Sequence, residues 1–291
     1  MRLGSLCAGG WRLLVAFTVL AGLVVLLASP QHRALYFGWA TAPGPRATSG
    51  SGGRPAAVAA APSRVPGRQP AAPDTESRIH VRVADRVPPR LPAEGVPSGW
   101  TTKEFVGRAS VELVRDENRL ALRLRSEQTS FALYRDLVVD LREFPFLSWS
   151  WKVVQVPEEG DVRERARDDQ AAQLYVIFPR WPSPLRSSDV LGYVWDTRAP
   201  VGTRVTSTQA SNVKVIVVAS GNAQRGVWRL EQRAIAQDYV ALFGRQPPRV
   251  GRVAVMIDTN DTRGTAEALV GDIAFARERS ENMEIPTSML R

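Results

Sequence analysis

The residues best equipped for chemistry in this chain are aspartates. Asp168 and Asp169 are adjacent and lead into Gln173-Leu174-Tyr175-Val176-Ile177-Phe178. A second group lies in Asp258-Thr259-Asn260-Asp261-Thr262-Arg263-Gly264, and Asp272 follows it. Glycoside hydrolysis needs only two carboxyls, about 5–10 Å apart across a sugar, so Asp168 or Asp169 would serve as acid or base. Against this, Arg163, Arg165 and Arg167 are interleaved with the acids of 158–169, as on a solvated mixed-charge loop. Hard cations take oxygen ligands, which makes Asp258, Asp261 and Asp272 candidates for a structural Ca2+ site. Leu269 stands where the bidentate Glu of an EF-hand loop would be, so the pattern is not an EF-hand. The same side chains would equally serve an Asx-type turn, bonding their own backbone.

Other catalytic chemistries are poorly supplied. There are two histidines, His32 and His80, and one cysteine, Cys7. An intramolecular disulfide is therefore impossible, and His/Cys zinc sites are effectively excluded. No Gly-x-Ser-x-Gly turn exists to present a serine nucleophile. His80, between Ile79 and Val81, reads as a surface strand residue. No catalytic residue is assigned, and the sequence favours a non-catalytic domain.

The elements that position these residues are strands. Leu147, Trp149, Trp151 and Val153 alternate with Ser148, Ser150 and Lys152, and period two means a strand with one apolar face. Paired tryptophans on a sheet face are either core or a platform for a flat ligand. Sharing a face with Leu147 and Val153 places Trp149 and Trp151 toward a sandwich interior. The binding candidates are then the residues around that wall: Asp168, Asp169, Gln173, Tyr175 and Trp195. About eleven short strands separated by turn residues predict a β-sandwich or jelly roll. A single short helix is expected over 235–243, ended by Gly244 and followed by Pro247-Pro248. No βαβ alternation appears, so a dinucleotide-binding fold is not expected.

The chain has 291 residues and a formal charge of +9. Residues 1–75 hold seven Arg and one Asp, a net of +6. The remaining 31 basic and 28 acidic residues leave +3 for 76–291. The excess sits in the N-terminal part and forms no basic face, so nucleic acid is not the expected partner. Leu13–Ser29 is an uncharged, largely apolar run of 17 residues, preceded by Arg2 and Arg12. That length is at the boundary between a signal peptide and a spanning helix. No convincing cleavage site follows, and Tyr36, Phe37 and Trp39 suit an interfacial belt. The reading is an uncleaved signal anchor over 1–40, with a cleaved signal peptide as the alternative. Residues 41–75 hold nine Ala, seven Pro, five Gly and three Ser with no aromatic residue, which predicts a disordered linker. The β-sandwich domain is expected over 76–291.

Several motifs occur together in the chain: Leu147-Ser-Trp-Ser-Trp-Lys-Val, Asp168-Asp169-x-x-x-Gln-x-Tyr175, Tyr193-Val-Trp195, Glu231-x-Arg233 and Asp238-Tyr-x-x-x-Phe243-Gly244. Val255-Met-Ile-Asp258-Thr-Asn-Asp261-Thr and Gly271-Asp272-Ile complete the set. Together they resemble the bacterial domain-of-unknown-function family numbered 3047. The resemblance runs in order from about Val83 to Phe275. It implies an exported or anchored protein with a galactose-binding-like jelly roll, and it carries no catalytic residues over. The chain departs from the family pattern at Gln173, where an Arg is common. The resulting expectation is an inner-membrane, single-pass protein with its C-terminal domain in the periplasm, or a periplasmic one if the signal is cleaved. That domain would bind a glycan or another envelope component. A carboxylate-dependent glycan hydrolase and an envelope scaffold for a protein partner are the alternatives.

Overall fold

The computed structural model describes residues 78–180, 188–208 and 210–279. The expected anchor and linker lie outside them. No helix among the described residues is long and apolar enough to cross a membrane.

Among the described residues, fourteen strands form two seven-stranded sheets. In chain order they are β1 (Arg78–Val81), β2 (Ala93–Glu94), β3 (Thr101–Val106), β4 (Ser110–Asp116), β5 (Arg119–Glu127), β6 (Ser130–Val139) and β7 (Phe146–Gln155). Then come β8 (Ala172–Phe178), β9 (Asp189–Asp196), β10 (Arg204–Thr206), β11 (Val213–Ser220), β12 (Arg229–Arg233), β13 (Val250–Asp258) and β14 (Thr265–Ala276). The first sheet runs β12-β7-β14-β5-β4-β2, with β1 also paired to β14. The second runs β10-β11-β9-β8-β13-β6-β3. Pairing is antiparallel except for β9 and β11, which are parallel. The expected sandwich and helix are present, and β2, β3 and β10 are additional strands at sheet edges.

Alternation decides which residues form the interior. On β7, Leu147, Trp149, Trp151 and Val153 are buried in the main core. On β8 the inward set is Ala172, Leu174, Val176 and Phe178; on β9 it is Leu191, Tyr193 and Trp195. The rings interlock across the sheets. Trp149 and Tyr193 lie 5.0 Å apart, and Trp151 meets Trp195 edge-on at 6.3 Å. Such offset and edge contacts add to the area effect of burying large rings.

The helix, α1 (Ile235–Phe243), ends at Gly244 with φ +67, and the Gly244 N–H bonds back to the Val240 carbonyl. Glycine adopts this left-handed cap without a Cβ penalty. α1 docks through buried polar groups. Asp238 accepts both ends of the Arg233 guanidinium at 2.7 and 2.8 Å and the Tyr193 hydroxyl at 2.9 Å. Tyr239 donates to Asp189, which also holds Arg245 at 2.7 Å. Arg233 and the Asp238-Tyr239 pair therefore bind helix to sheet, while Glu231 pairs with Arg229 on β12.

Candidate functional site

Inward residues on β8, β9 and β13 leave the alternate positions on the outer face of the second sheet. There, Gln173 and Tyr175 follow from β8, Gly192, Val194 and Asp196 from β9, and Met256 and Asp258 from β13. The β9–β11 side of this face is apolar: Val194, Val215 and Val217 form a small second core with Val162 and Ala199 from covering loops. Tyr175 packs at its margin. The β8–β13 side is polar.

Register fixes the polar patch. Gln173 pairs with Met256 on one side and Val194 on the other. Asp258 and Asp196, two residues beyond those partners, are its diagonal neighbours on the same face. Asp168 belongs to the loop leading into β8. The Tyr175 hydroxyl donates to Gln173 Oε1 at 2.5 Å. Gln173 Nε2 is buried and has no hydrogen-bond partner, and Gln173 as a whole is only 2% exposed. The Tyr175 ring packs against Gly192, where a Cβ would come within 2.5 Å of it. Only glycine at 192 allows the ring this position.

The aspartates divide by their partners. Asp169 is fully buried. It accepts the Asp261 N–H at 3.1 Å, the Thr262 N–H at 2.6 Å and the Thr262 hydroxyl at 2.5 Å, and so fastens the 259–264 turn. Asp196 accepts the N–H groups of Val162, Arg198 and Ala199 at 2.8, 2.8 and 2.6 Å, and pins the covering loops. Asp168 and Asp258 are much less occupied. Asp168 accepts the Gln170 side-chain amide at 3.1 Å, and Asp258 accepts the Asn260 N–H at 3.3 Å. Burial, with repulsion from Asp261, Asp169 and Asp196, raises Asp168 to about 6. Burial and repulsion from Asp169 and Asp261 outweigh the Asn260 N–H and the Ser130 hydroxyl and raise Asp258 to about 8. Tyr175 is pushed up by burial and by Asp168 and Asp258 together. Near neutral pH the patch thus offers one carboxylate acceptor, one protonated carboxyl donor, a phenol and a free amide N–H.

Residues 98–274 match the family model described as Protein of unknown function (DUF3047). The chain belongs to this family. No curated protein matches the sequence. Among solved structures, the endoglucanase cel12A from Rhodothermus marinus is similar at a TM-score of 0.37 and 10% identity, covering 64% of this chain and 98% of that one. The xyloglucanase domain of NopAA from Sinorhizobium fredii gives 0.35 and 11%, covering 64% and 96%. The glycoside hydrolase domain of Endo-D from Streptococcus pneumoniae R6 gives 0.31 and 9%, covering 62% of this chain but 22% of that one. No residue correspondence follows at these scores. In this DUF3047 chain the site is described by its own geometry.

Two expectations are corrected. Trp195 is completely buried among the core rings, with its N–H on the Gly221 carbonyl at 3.0 Å. The parity of β9 turns it inward, away from Gln173 and Tyr175. Asp272 does not join Asp258 and Asp261. It is exposed on the first sheet, seven residues along β14 from Thr265, roughly 23 Å at the usual rise per strand residue. Among the described residues no three His, Cys, Asp or Glu side chains are grouped to hold a metal ion. The Asp258–Gly264 segment behaves as a turn, with Asp258 accepting its own Asn260 N–H.

The structure brings Asp168, Gln173 and Tyr175 to one patch and adds Asp258, which the sequence offered only as a metal ligand. Asp169 lies beneath the patch as a support. Asp196 and Gly192 were missed. β9 is buried on both faces, so its alternation alone did not say which set points outward.

Proposed function

We propose that this domain binds a polyhydroxylated ligand, such as a glycan of the cell envelope, on the outer face of the second sheet. Asp168, Gln173, Tyr175 and Asp258 would make the contacts. The observation that carries this is the buried, unpartnered Gln173 Nε2 amid donors and acceptors of both kinds. A buried N–H left unpaired costs about 1–3 kcal/mol, and a ligand hydroxyl would supply the acceptor. Vicinal hydroxyls both donate and accept, which suits a protonated carboxyl beside an ionised one. Residues 13–29 and 41–75 would tether the domain at the periplasmic face of the inner membrane. Binding of the full-length chain in mild detergent to an envelope-glycan array tests the assignment. Wild type should bind, and Tyr175→Ala should lose at least about tenfold in affinity. Equal binding by both proteins would sink it.

A second reading has one specific support. Asp168 and Asp258 are raised to about 6 and about 8, and two carboxyls driven to different values are what acid–base hydrolysis uses. Release of new reducing ends, abolished in Asp258→Asn, would convert the binding site into an active site.

A further inference from the structure

The charge balance of the same patch defines its ligand more closely, on the premise that the patch is the binding site. Elsewhere in the domain, half-buried and buried aspartates have cationic partners. Asp161 has Arg163 at 2.6 Å, Asp189 has Arg245 at 2.7 Å, and Asp238 has Arg233 at 2.7 Å. Asp116 has Lys152 at 2.8 Å. At the β8–β13 end of the second sheet five aspartates gather, and none of them is in an ion pair with a described residue. Asp169 and Asp196 are compensated by N–H groups or a hydroxyl. Asp168 has the Gln170 side-chain amide, and Asp258 the Asn260 N–H and the Ser130 hydroxyl, which do not outweigh their burial, and Arg165 acts on the exposed Asp261. Carboxyls without a cation in a partly dry site hold their protons instead, which is why both are raised.

A positive group placed between them would supply what the fold omits. Gln173 adds the second requirement. Its free amide N–H lies between the strand positions of Asp258 and Asp196 and calls for an acceptor oxygen, which a simple cation lacks. We propose that the Asp168–Gln173–Asp258 patch takes a protonated amine with a neighbouring hydroxyl, as on an amino sugar, in preference to a neutral glycan. The ammonium would bridge Asp168 and Asp258, and the hydroxyl oxygen would accept from Gln173 Nε2. Binding would draw Asp258 into the ionised state beside the carboxylate of Asp168, so a proton would leave the site as the amine enters.

The test uses the full-length chain with three oligomers of equal length: glucosamine, N-acetylglucosamine and glucose. Calorimetry at pH 6.5 in two buffers of different ionisation enthalpy reads affinity and proton release together. The glucosamine oligomer should bind about tenfold or more tightly than either neutral one, the scale of one charge-assisted contact. It should release protons on binding and weaken with added salt. Asp258→Asn and, separately, Asp168→Asn should erase the preference without raising affinity for the neutral oligomers. Both changes are nearly isosteric, so the fold should survive, and a cooperative melt checks this. Equal affinity for amine and neutral oligomers, or preference without proton release, overturns the amine assignment but leaves the glycan site standing. No binding of any oligomer overturns both.

Discussion

Asp168 and Asp169 are adjacent in the chain and opposite in role. Asp169 accepts two backbone N–H groups and a hydroxyl of the 259–264 turn, and hydrogen bonds to a charged group are among the stronger ones. Asp169→Ala should cost about 2–4 kcal/mol of unfolding free energy by urea titration. Asp168→Ala, which gives up one side-chain amide contact, should cost little or raise stability. Equal losses would show that the two have not been told apart. Asp258 gives a pH prediction. Its folded value of about 8, like that of Asp168 at about 6, stands above the ordinary 3.8. A raised carboxyl favours the fold below its unfolded value, and that contribution is lost as pH rises through the folded one. Glu112, Asp116, Asp140 and Asp161 are lowered on balance despite the opposing effect of burial. Their partners are Arg125 and Arg123, Lys152 and Trp228, Arg142, and Arg163 respectively. Those groups act in the other direction, stabilising above the ordinary carboxylate range and failing as pH falls. Thermal stability should therefore be highest near pH 5 and decline toward pH 8. Asp258→Asn should raise the melting temperature at pH 8 by several degrees and flatten that decline, and differential scanning calorimetry across pH reads both.

At the scale of elements, α1 is a short helix held by tertiary contacts. Nine residues are too few for an isolated helix to persist in water. Its attachment is the Arg233–Asp238–Tyr193 network, which ties the edge strand β12, the helix and the central strand β9 together. Removing the Asp238 carboxylate leaves a buried phenol hydroxyl and a guanidinium without their partner. Asp238→Ala should lose about 3 kcal/mol or more, with the strand signal of the domain kept in circular dichroism. A loss below about 1 kcal/mol would show that apolar contacts of Ile235 and Tyr239 hold the helix alone. The same parity that made β7 legible also explains the error at Trp195. One apolar strand predicts which residues share a face, but not which sheet covers it. β9 is apolar on both faces, with Leu191, Tyr193 and Trp195 on one and Val194 on the other, because one face meets the main core and the other the small core with Val162. With both faces buried, period two gives no direction.

For the whole molecule, the net charge of +9 lies mostly before residue 76, while the described domain carries a locally acidic patch. If residues 13–29 span the inner membrane, the chain should stay with membranes after alkaline washing, and protease added to spheroplasts should digest the domain. Recovery in the soluble periplasmic fraction would mean that the segment is removed. The sequence by itself determined the β-sandwich, the inward tryptophans of β7, the 235–243 helix with its glycine cap, and the weakness of His, Cys and Ser chemistry. Those are local properties, written in period-two alternation, turn residues and composition. Tertiary structure alone decided that Asp258 belongs with Asp168 and Gln173, that Asp169 is a fastener, that Trp195 is core and that Asp272 lies on the other sheet. Each depends on contacts between distant parts of the chain, as where β13 pairs with β8 through Met256 and Gln173 and β14 pairs with β7 through Ile273 and Trp149. Register and burial, which set both proximity and carboxyl charge, do not exist until the sheets assemble.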